Sequence, residues 1–340
     1  MTAVVLDANL AERIVRLALP YWKIADDAVV VFVKHRENVV FRIIDAEQQF
    51  AVRLHRPGYR SDAEILTEVR HIAALGEHGM SVPFILVATT GSPLVHVLHG
   101  GIDFQLDAQR WLVGSAPMGD IDTAFAGTTT LTTTDFRALG RVAAQLHETT
   151  QQVGKVPGYT RGAWDAAGLV GPTPLWGDPL ELRDNDMHDR AVLTQTITAL
   201  RVSLGQASTR AAVYGPVHAD FTPENVLVVD GRLVVIDFDD FGDGWNMFDL
   251  ATILFFYTPD PRYPSFRSAM LAGYTSVRPL QHDEPALLDD LLIARGLTYL
   301  GWTGQRRDED GMEFLATDVR RHVIALATEY LDSSARQTRT

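Results

Sequence analysis

Two short segments in the second half of the chain carry side chains that could do chemistry. The first is 218–225, with the sequence HADFTPEN, and the second is 236–240, with the sequence IDFDD. Asp220 could take a proton from a hydroxyl group, and Asn225 and Asp237 could hold magnesium against the phosphates of a nucleotide. This spacing is typical of proteins that transfer a phosphoryl group from ATP.

The segment between the two groups predicts a tight β-hairpin. Two runs of β-branched residues, 226–229 and 232–236, flank an Asp-Gly pair, which is the strongest short-range hairpin signal. We expect the hairpin to return the chain so that Asn225 lies close to Asp237, with Asp220 on the loop before it. An amide oxygen and a carboxylate with open positions suit magnesium, which keeps waters and takes phosphate oxygens.

A calcium-binding loop is the competing interpretation of the segment that begins at Asp237. In such a loop the third ligand position would be Phe241, and the closing glutamate position would be Phe248. Phenylalanine offers no oxygen ligand, so the pattern excludes a calcium loop of this kind. Each acid alone would be more typical of a solvated side chain or a helix cap, and only the joint pattern favours the magnesium interpretation.

The sequence resembles the aminoglycoside phosphotransferase and choline kinase superfamily, in its homoserine-kinase-like and stress-response-kinase-like branch. The residues that carry the resemblance are 50–59, 218–225, 235–240 and 244–251. The resemblance covers most of the chain, and its C-terminal motifs are the more specific ones. It implies an α+β fold of the protein-kinase-like bilobal type, with a small β-rich N-lobe and a larger, mostly helical C-lobe.

The resemblance also implies a role for each residue of these motifs. Asp220 would be the catalytic base, and Asn225 and Asp237 would be the ligands of Mg2+ bound to ATP. His218 and Asp249 would have structural roles in the catalytic loop, Asp249 through hydrogen bonds to the loop backbone.

On the nucleotide side, kinases place a strand lysine on the phosphates and a helix glutamate on that lysine. Here Arg53 occupies the lysine position, and Glu68, followed by Glu64, best matches the glutamate. Arginine can hold a phosphate through two parallel hydrogen bonds and keeps its charge. The loop expected over the phosphates, 34–38, contains no glycine, so the close backbone approach that glycine permits is missing.

The chain is expected to divide into an N-lobe at 1–106, an inter-lobe link at 107–114 and a C-lobe at 115–340. Hydrophobic periodicity in the N-lobe predicts helices at 10–19 and 62–77, the second capped by Ser61, and strands at 29–33, 39–44, 49–54, 85–89 and 102–106. From residue 115 onward the pattern is mostly helical, apart from the hairpin.

The link is expected to contact adenine through the backbone of Gln109, Trp111 and Val113. The pocket for the accepting molecule is expected beside Asp220, with walls formed by acids and aromatic side chains. The candidates are Trp164, Trp176, Asp239, Asp240, Trp245, Tyr299, Trp302 and Arg306. Rings beside acids could hold an amine by cation–π and charge contacts, which suits an amino alcohol, a hydroxy amino acid or an aminoglycoside. Arg306 could instead hold a substrate carboxylate.

Composition limits the remaining function classes. The formal net charge is -13, which repels nucleic-acid phosphates and excludes a nucleic-acid partner. The absence of cysteine excludes disulfides and thiolate chemistry and fits a reducing cytoplasm. No signal-peptide pattern and no apolar run long enough to span a bilayer are evident. We expect a cytoplasmic protein, monomer or homodimer, whose partner is a small molecule and not a membrane.

Two other functions stay open from the sequence. A protein Ser/Thr kinase could use the same residues, although no activation segment ending in Ala-Pro-Glu follows Asp237. A nucleotide-binding module with weak turnover would be consistent with Arg53 and the glycine-free loop. The presence of Asp220, Asn225 and Asp237 together counts against that module.

Overall fold

The computed structural model describes residues 7–210, 212–309 and 311–337, with side chains through Ser333. The chain forms two compact units. Unit 1 comprises the described residues up to Ala116 together with 153–161 and 227–239, and unit 2 comprises 117–152, 162–226 and the described residues from 240 onward.

Unit 1 is built on a five-stranded antiparallel sheet with two helices. Its N-terminal elements are α1 (Ala8–Ala18), a 3-10 helix (Leu19–Trp22), β1 (Val29–His35), β2 (Asn38–Asp45), β3 (Gln48–His55), α2 (Asp62–Glu77), β4 (Leu94–His99) and β5 (Ile102–Arg110). The strands follow the order β1-β2-β3-β5-β4. The apolar side chains of α1 recur at helical spacing, at positions 11, 14, 15 and 18, and pack with the buried side chains of the sheet.

Most of the N-terminal elements lie where the sequence predicts them. Helix α2 begins after Ser61, whose hydroxyl accepts from the amide of Glu64 while the Glu64 carboxylate accepts from the amide of Ser61. This reciprocal capping explains why the helix starts at Asp62. The strand predicted at 85–89 is wrong, because within the described residues that segment makes only an isolated bridge from Ile85. The edge strand is β4, which follows the turn closed by the bond from Ala88 to Ser92.

Strand β5 extends into the segment that the sequence assigns to the inter-lobe link. Asp107, Gln109 and Arg110 pair with β3, so positions 107–110 belong to the sheet. The physical reason is that the buried carboxylate of Asp107 pairs with Arg53 and His55, so this polar residue does not end the strand.

The later elements are mainly helical. They are β6 (Ala116–Pro117), α3 (Ile121–Phe125), α4 (Thr133–Val153), β7 (Ala163–Trp164), α5 (Ala166–Val170), α6 (Met187–Gln206), β8 (Tyr214–Val217), β9 (Val226–Val229), β10 (Arg232–Val235), β11 (Gly242–Trp245), α7 (Asn246–Phe255), α8 (Tyr263–Thr275), α9 (Glu284–Arg306), α10 (Met312–Phe314) and α11 (Arg320–Gln337), with short 3-10 helices at Pro179–Glu181 and Pro223–Asn225 and a π-helix at Leu315–Val319. Strands β9 and β10 are neighbours, which confirms the predicted hairpin.

Helix α7 forms the centre of unit 2. Every residue of α7 is buried, and its main partner is α9. Strand β11, which leads into α7, pairs with β8 and β7. In the part of the chain that the structure describes, no helix is both long and apolar enough to cross a membrane.

Helices α4 and α8 approach closely at two glycines, which yields a stability prediction. A Cβ on Gly140 would lie 2.0 Å from the carbonyl oxygen of Met270, so Gly140→Ala should lower the free energy of unfolding by about 3 kcal/mol. The matched control is Gly205→Ala on the exposed surface of α6, where a Cβ meets nothing within 4 Å. That change should stabilise by roughly 0.5–1 kcal/mol. Urea unfolding measures both, and equal midpoints for the two variants would contradict the close crossing.

Candidate active site

The loop after β8 is held in place by Asp249, in the first turn of α7. The Asp249 carboxylate is fully buried and accepts hydrogen bonds from the amides of His218, at 3.0 Å, and Ala219, at 2.8 Å. Ala219 has a φ of +66°, a conformation that costs energy for a non-glycine residue. Two charge-assisted bonds to neighbouring amides can offset that cost. The structural role expected of Asp249 is confirmed.

A histidine behind the loop orients Asp249 in turn. The Nε2 atom of His147 lies 3.0 Å from Asp249 Oδ2, and its Nδ1 atom lies 3.0 Å from the hydroxyl of Tyr274. Burial lowers the pKa of His147, which favours the neutral ring. Arg278 donates to the Tyr274 oxygen, so the tyrosine proton is directed at Nδ1 and the Nε2–H group donates to Asp249.

Asp220 and Asn225 lie together at the end of this loop. The amide nitrogen of Asn225 donates to Asp220 Oδ2 at 3.0 Å and to the backbone oxygen of Asp220 at 2.8 Å. The Asp220 side chain is 28% exposed, so it can meet a substrate. Because the Asn225 nitrogen is directed at Asp220, its carbonyl oxygen is the atom that can meet a cation. This donor set fits magnesium, which prefers oxygen ligands.

Arg295 is the second partner of Asp220, and sequence reasoning missed it. Its Nη2 atom donates to Asp220 Oδ1 at 2.6 Å, and its Nη1 atom donates to the backbone oxygen of Ala219 at 3.0 Å. A signal was present, because the arginine stands inside an apolar helical run, 291–297. A charge in such a position is buried only with a partner of opposite sign.

The aromatic side chains around this arginine change the interpretation of the pocket. The Arg295 guanidinium carbon lies 4.5 Å from the ring centroid of Trp176 and 4.3 Å from that of Tyr299. The chain's own cation therefore occupies the rings that could have held a substrate amine. Among the predicted pocket residues, the carboxylates are left as the groups that could recognise an amine.

The structure defines the positions of two candidates for the acceptor pocket, Asp240 and Trp245. Asp240 accepts a hydrogen bond from the indole of Trp176 at 3.1 Å, so it stands beside the rings that enclose Arg295. Trp245 is 1% exposed, and its indole donates to the backbone oxygen of Ser208 at 2.9 Å. Trp245 is thus a core residue, and its expected place in the substrate pocket has to be corrected, since no face of the ring is available.

Trp302 and Arg306 pair with each other. The Arg306 guanidinium carbon lies 4.7 Å from the Trp302 ring centroid, and Arg306 is 8% exposed. This stacking explains how a charged side chain is buried near the end of α9. It leaves little of Arg306 for a substrate carboxylate.

In unit 1 the predicted pair of Arg53 and Glu68 is present. Arg53 Nη1 donates to Glu68 Oε1 at 2.7 Å, and both side chains are buried. Glu64, the second choice from the sequence, instead caps α2 through Ser61. Residues 153–161 support α2, since Thr67 donates to the backbone oxygen of Gly158 at 3.3 Å.

Asp107 is an additional partner of Arg53 that the sequence did not predict. Arg53 Nε lies 3.1 and 3.0 Å from the two Asp107 oxygens, and His55 Nε2 lies 2.7 Å from Oδ2. Burial alone would raise the pKa of Asp107, but Arg53 and His55 outweigh it and lower that pKa to about 2. Arg53 is 5% exposed and has two carboxylates on it, so its charge is largely balanced inside the unit.

Asp237 follows strand β10 of the hairpin, and its carboxylate pairs with a lysine. Lys34 Nζ, on β1, lies 2.8 Å from Asp237 Oδ2, and the two side chains are 42% and 28% exposed. Asp237 has a φ of +64°, which aspartate tolerates better than most residues. A carboxylate that is partly exposed and paired with a partly exposed ammonium can exchange that ion pair for a metal ion.

Asp239 is buried two residues further on in unit 1. Its Oδ1 accepts from the Asn38 amide at 3.3 Å, and its backbone oxygen accepts from Arg60 at 3.1 Å and from Arg161. With 5% of its surface exposed, Asp239 holds the segment after Asp237 in place. Its expected role as a substrate contact stays a prediction.

The predicted adenine contacts lie at the end of β5 and just beyond it. Gln109 is buried in the sheet, and Val113 is 60% exposed. The Trp111 amide donates to the backbone oxygen of Gln49 at 2.9 Å, and Arg42 stacks over the Trp111 ring at 5.3 Å. The backbone N–H group of Trp111 is therefore already hydrogen-bonded within unit 1. An adenine contact through the remaining backbone groups of this segment stays a prediction.

The metal chemistry rests on few protein ligands. Among the residues that the structure describes, no group of three or more histidine or acidic side chains could hold a metal ion. Magnesium is commonly bound through one or two side chains together with substrate phosphates. Asn225 belongs to unit 2 and Asp237 to unit 1, so their expected approach stays a prediction.

The buried pair of Arg53 and Asp107 predicts a pH-dependent contribution to stability. Because the folded-state pKa of Asp107, about 2, lies below its ordinary 3.8, ionised Asp107 stabilises the fold fully above pH 3.8. That contribution is lost as pH falls from 3.8 toward 2. Asp107→Asn should therefore lower the free energy of unfolding by about 3 kcal/mol at neutral pH, and the difference from wild type should shrink below pH 3.8.

Urea unfolding at neutral and acidic pH measures this difference. The matched control is Asp27→Asn, which changes an exposed acid in a turn and should alter stability little at either pH. A loss for Asp107→Asn that stays constant down to the acid limit would contradict the paired, ionised state of Asp107.

Comparison with known proteins identifies the family. Residues 29–287 match the model of the phosphotransferase enzyme family, APH. The chain belongs to this family. The match includes β1, the catalytic loop, the hairpin and α7, whereas Arg295 and the aromatic residues of α9 lie beyond its C-terminal end.

Curated proteins and solved structures give further similarities. The chain is 24% identical over 303 residues to the amicoumacin kinase of Bacillus subtilis (strain 168), covering 84% of each protein. It is 30% identical over 164 residues to the homoserine kinase of Sinorhizobium medicae (strain WSM419), covering 47% of each. The structure of a microcompartment-associated aminopropanol kinase matches with a TM-score of 0.83 and 29% identity, over 95% of this chain and 98% of that one.

A further solved relative agrees on the fold. An amicoumacin kinase in complex with AMP-PNP, Ca2+ and Ami matches with a TM-score of 0.72 and 24% identity over 94% of each chain. These matches confirm the predicted protein-kinase-like α+β fold. This family member is an ATP-dependent phosphotransferase of small molecules, as the sequence predicts.

Proposed function

We propose that this kinase transfers the γ-phosphoryl group of magnesium-bound ATP to the hydroxyl group of a small amino alcohol in the cytoplasm. The observation that carries the proposal is the state of Asp220. Its carboxylate stands on a loop fixed by Asp249, with one oxygen bound by Arg295 and the other by Asn225, and it remains partly exposed. A general base needs such fixed geometry and access.

The remaining site residues are proposed in separate roles. The Asn225 carbonyl oxygen and the Asp237 carboxylate would hold magnesium, which when bound offsets the charge of the phosphates. Lys34 would release Asp237 and turn to the phosphates, where an ammonium acts as a point charge. Arg53 and Glu68 would fix the strand and helix beside the nucleotide.

In the proposed reaction, Asp220 accepts a hydrogen bond from the acceptor hydroxyl. The hydroxyl oxygen forms a bond to the γ-phosphorus while the bond from that phosphorus to the β–γ bridging oxygen breaks. The electron pair of the broken bond leaves with ADP, and the hydroxyl proton passes to Asp220 Oδ2. The products are ADP and a phosphate monoester.

The charge near Asp220 supports a cationic acceptor. Burial raises the pKa of Tyr299, Arg295 opposes that shift, and the nearby carboxylates of Asp220 and Glu224 add to it. Asp240 acts electrostatically on Arg295 in the same neighbourhood. Asp220 and Asp240 thus act on the Arg295 guanidinium, and Glu224 acts on the neighbouring Tyr299, so the charge around Asp220 favours a substrate that carries an ammonium group.

The names of three relatives support this substrate class. One relative is named an aminopropanol kinase and two others are named homoserine kinases. Aminopropanol and homoserine each carry an amine and a hydroxyl group. We therefore propose that the preferred acceptor is a compact amino alcohol, and not a hydroxy amino acid or an aminoglycoside.

An acceptor panel with magnesium and ATP tests the proposal. The panel includes aminopropanol, ethanolamine, homoserine, choline and kanamycin, and propanediol serves as the matched acceptor without an amine. We expect acceptor-dependent ADP formation with an amino alcohol and at least about tenfold lower kcat/KM with propanediol. ADP formation that no acceptor stimulates would contradict the kinase proposal, and equal use of propanediol would contradict the amine requirement.

A further inference from the structure

Arg295 is fully buried and has three polar partners within α9 and the catalytic loop. It is 0% exposed, and besides its bonds to Ala219 and Asp220 it lies 2.9 Å from the hydroxyl of Tyr299. Burial by itself would lower the pKa of Arg295, but Tyr299 and Asp220 raise it. The side chain is therefore a permanent buried cation whose carboxylate partner is Asp220.

The surroundings of Arg295 fix its orientation. The rings of Trp176 and Tyr299 enclose the guanidinium plane, and Phe248 lies 5.6 Å away. Arginine is well suited to such stacking because its fork is planar and delocalised. A guanidinium held by rings and three acceptors cannot turn with the carboxylate, so the carboxylate has to adopt the orientation that the guanidinium sets.

The two oxygens of Asp220 are therefore not equivalent. Oδ1 takes the short bond from Arg295 at 2.6 Å, whereas Oδ2 takes the longer bond from Asn225 at 3.0 Å. The charge-assisted bond withdraws charge from Oδ1 and leaves Oδ2 as the better proton acceptor. Both bonds together stop rotation of the carboxylate about its last torsion angle.

We propose that Arg295 is the positioning residue of the reaction, which holds Asp220 so that Oδ2 receives the proton of the acceptor hydroxyl. This inference rests on the proposed function and adds a residue from α9 to it. Arg295 itself touches neither substrate nor nucleotide in this role. Its effect is on kcat, because it acts on the orientation of the base.

Arg295→Ala with chemical rescue tests the positioning role. We expect kcat to fall by about 100-fold with little change in the KM for ATP. Free guanidinium at a non-denaturing concentration should restore at least about a tenth of the wild-type kcat, because the site made by Trp176 and Tyr299 remains. Urea at the same concentration has a similar shape without the charge and should restore nothing.

Two further variants separate positioning from folding. In Arg295→Ala combined with Asp220→Asn, guanidinium should restore no activity, since its effect passes through the carboxylate. Arg295→Lys keeps the charge and should fold, but an ammonium cannot form the same planar contact with Ala219 and Asp220, so kcat should fall by about tenfold.

The outcomes distinguish this inference from the proposed function. Guanidinium that raises the thermal midpoint of Arg295→Ala without raising kcat would show a purely structural role and overturn the inference. Wild-type kcat in folded Arg295→Ala or Arg295→Lys would overturn it as well. In either case the proposed function remains supported if the wild-type enzyme is active. A wild-type enzyme that phosphorylates no acceptor would instead refute the proposed function itself.

Discussion

Asp220→Asn is expected to lower kcat by about 1,000-fold while nucleotide affinity changes by less than about threefold. The reason is that the change removes the proton acceptor but keeps the shape of the side chain and an oxygen for Arg295. Asparagine is a sharper test than alanine, because Asp220→Ala would leave the buried guanidinium of Arg295 without its carboxylate. The measurement is acceptor-dependent ADP formation together with the binding of ATP and magnesium by calorimetry.

Glu329→Ala provides the control for this prediction. Glu329 is an exposed acid on α11, so its loss changes the net charge by the same amount without touching the catalytic loop. It should leave kcat at the wild-type value. Turnover in Asp220→Asn that equals turnover in Glu329→Ala would contradict the role of Asp220 as base.

Asp237→Asn is expected to lower kcat/KM by about 1,000-fold and to remove the magnesium dependence of nucleotide binding. Asparagine tolerates the positive φ of this position, so the variant changes the charge and spares the backbone. The measurement is the thermal shift caused by ATP with and without magnesium. In wild type the shift should be larger with magnesium, and in Asp237→Asn the two shifts should be equal.

Lys34→Met provides the control, because it removes the ammonium that pairs with Asp237 and leaves the carboxylate. The ion pair between the two side chains is exposed and contributes little to stability. Lys34→Met should keep the magnesium-dependent shift while binding ATP more weakly. An unchanged magnesium requirement in Asp237→Asn would show that the metal is held elsewhere.

The sequence predicts well those features that depend on local patterns. Ser61 as a helix cap predicted the start of α2, and the Asp-Gly pair predicted the turn between β9 and β10. The pairing of Arg53 with Glu68 followed from family spacing and is present at 2.7 Å. The support of the loop by Asp249 was also expected, because its place at the start of α7 follows directly from the motif.

The features that the sequence did not predict depend on contacts between distant positions. Arg295 meets Asp220 across 75 residues, and no local pattern reveals where α9 crosses the loop. Asp107 was assigned to the link, yet Arg53 and His55 make its burial in the sheet possible. The strand at 94–99 was missed for a similar reason, since its pairing with β5 decides its structure.

The acceptor pocket shows how a plausible pattern can mislead. Aromatic residues near acids suggested a cation site for substrate, but in the folded chain Trp176 and Tyr299 hold the guanidinium of Arg295. Trp245 belongs to the core instead. The acids near Asp220 remain as the groups that could select an amine.

The most direct test of Asp220 as the base that activates the acceptor hydroxyl is phosphorus NMR of the enzyme incubated with ATP, magnesium and aminopropanol. The Asp220→Asn variant is measured alongside. We predict that the wild-type enzyme forms ADP and a phosphate monoester in equal amounts, and that the variant forms neither at a comparable rate. The assignment of Asp220 to hydroxyl activation would be wrong if the wild-type enzyme only hydrolysed ATP to ADP and inorganic phosphate in the presence of every amino alcohol tested. It would also be wrong if the variant formed the monoester as fast as wild type.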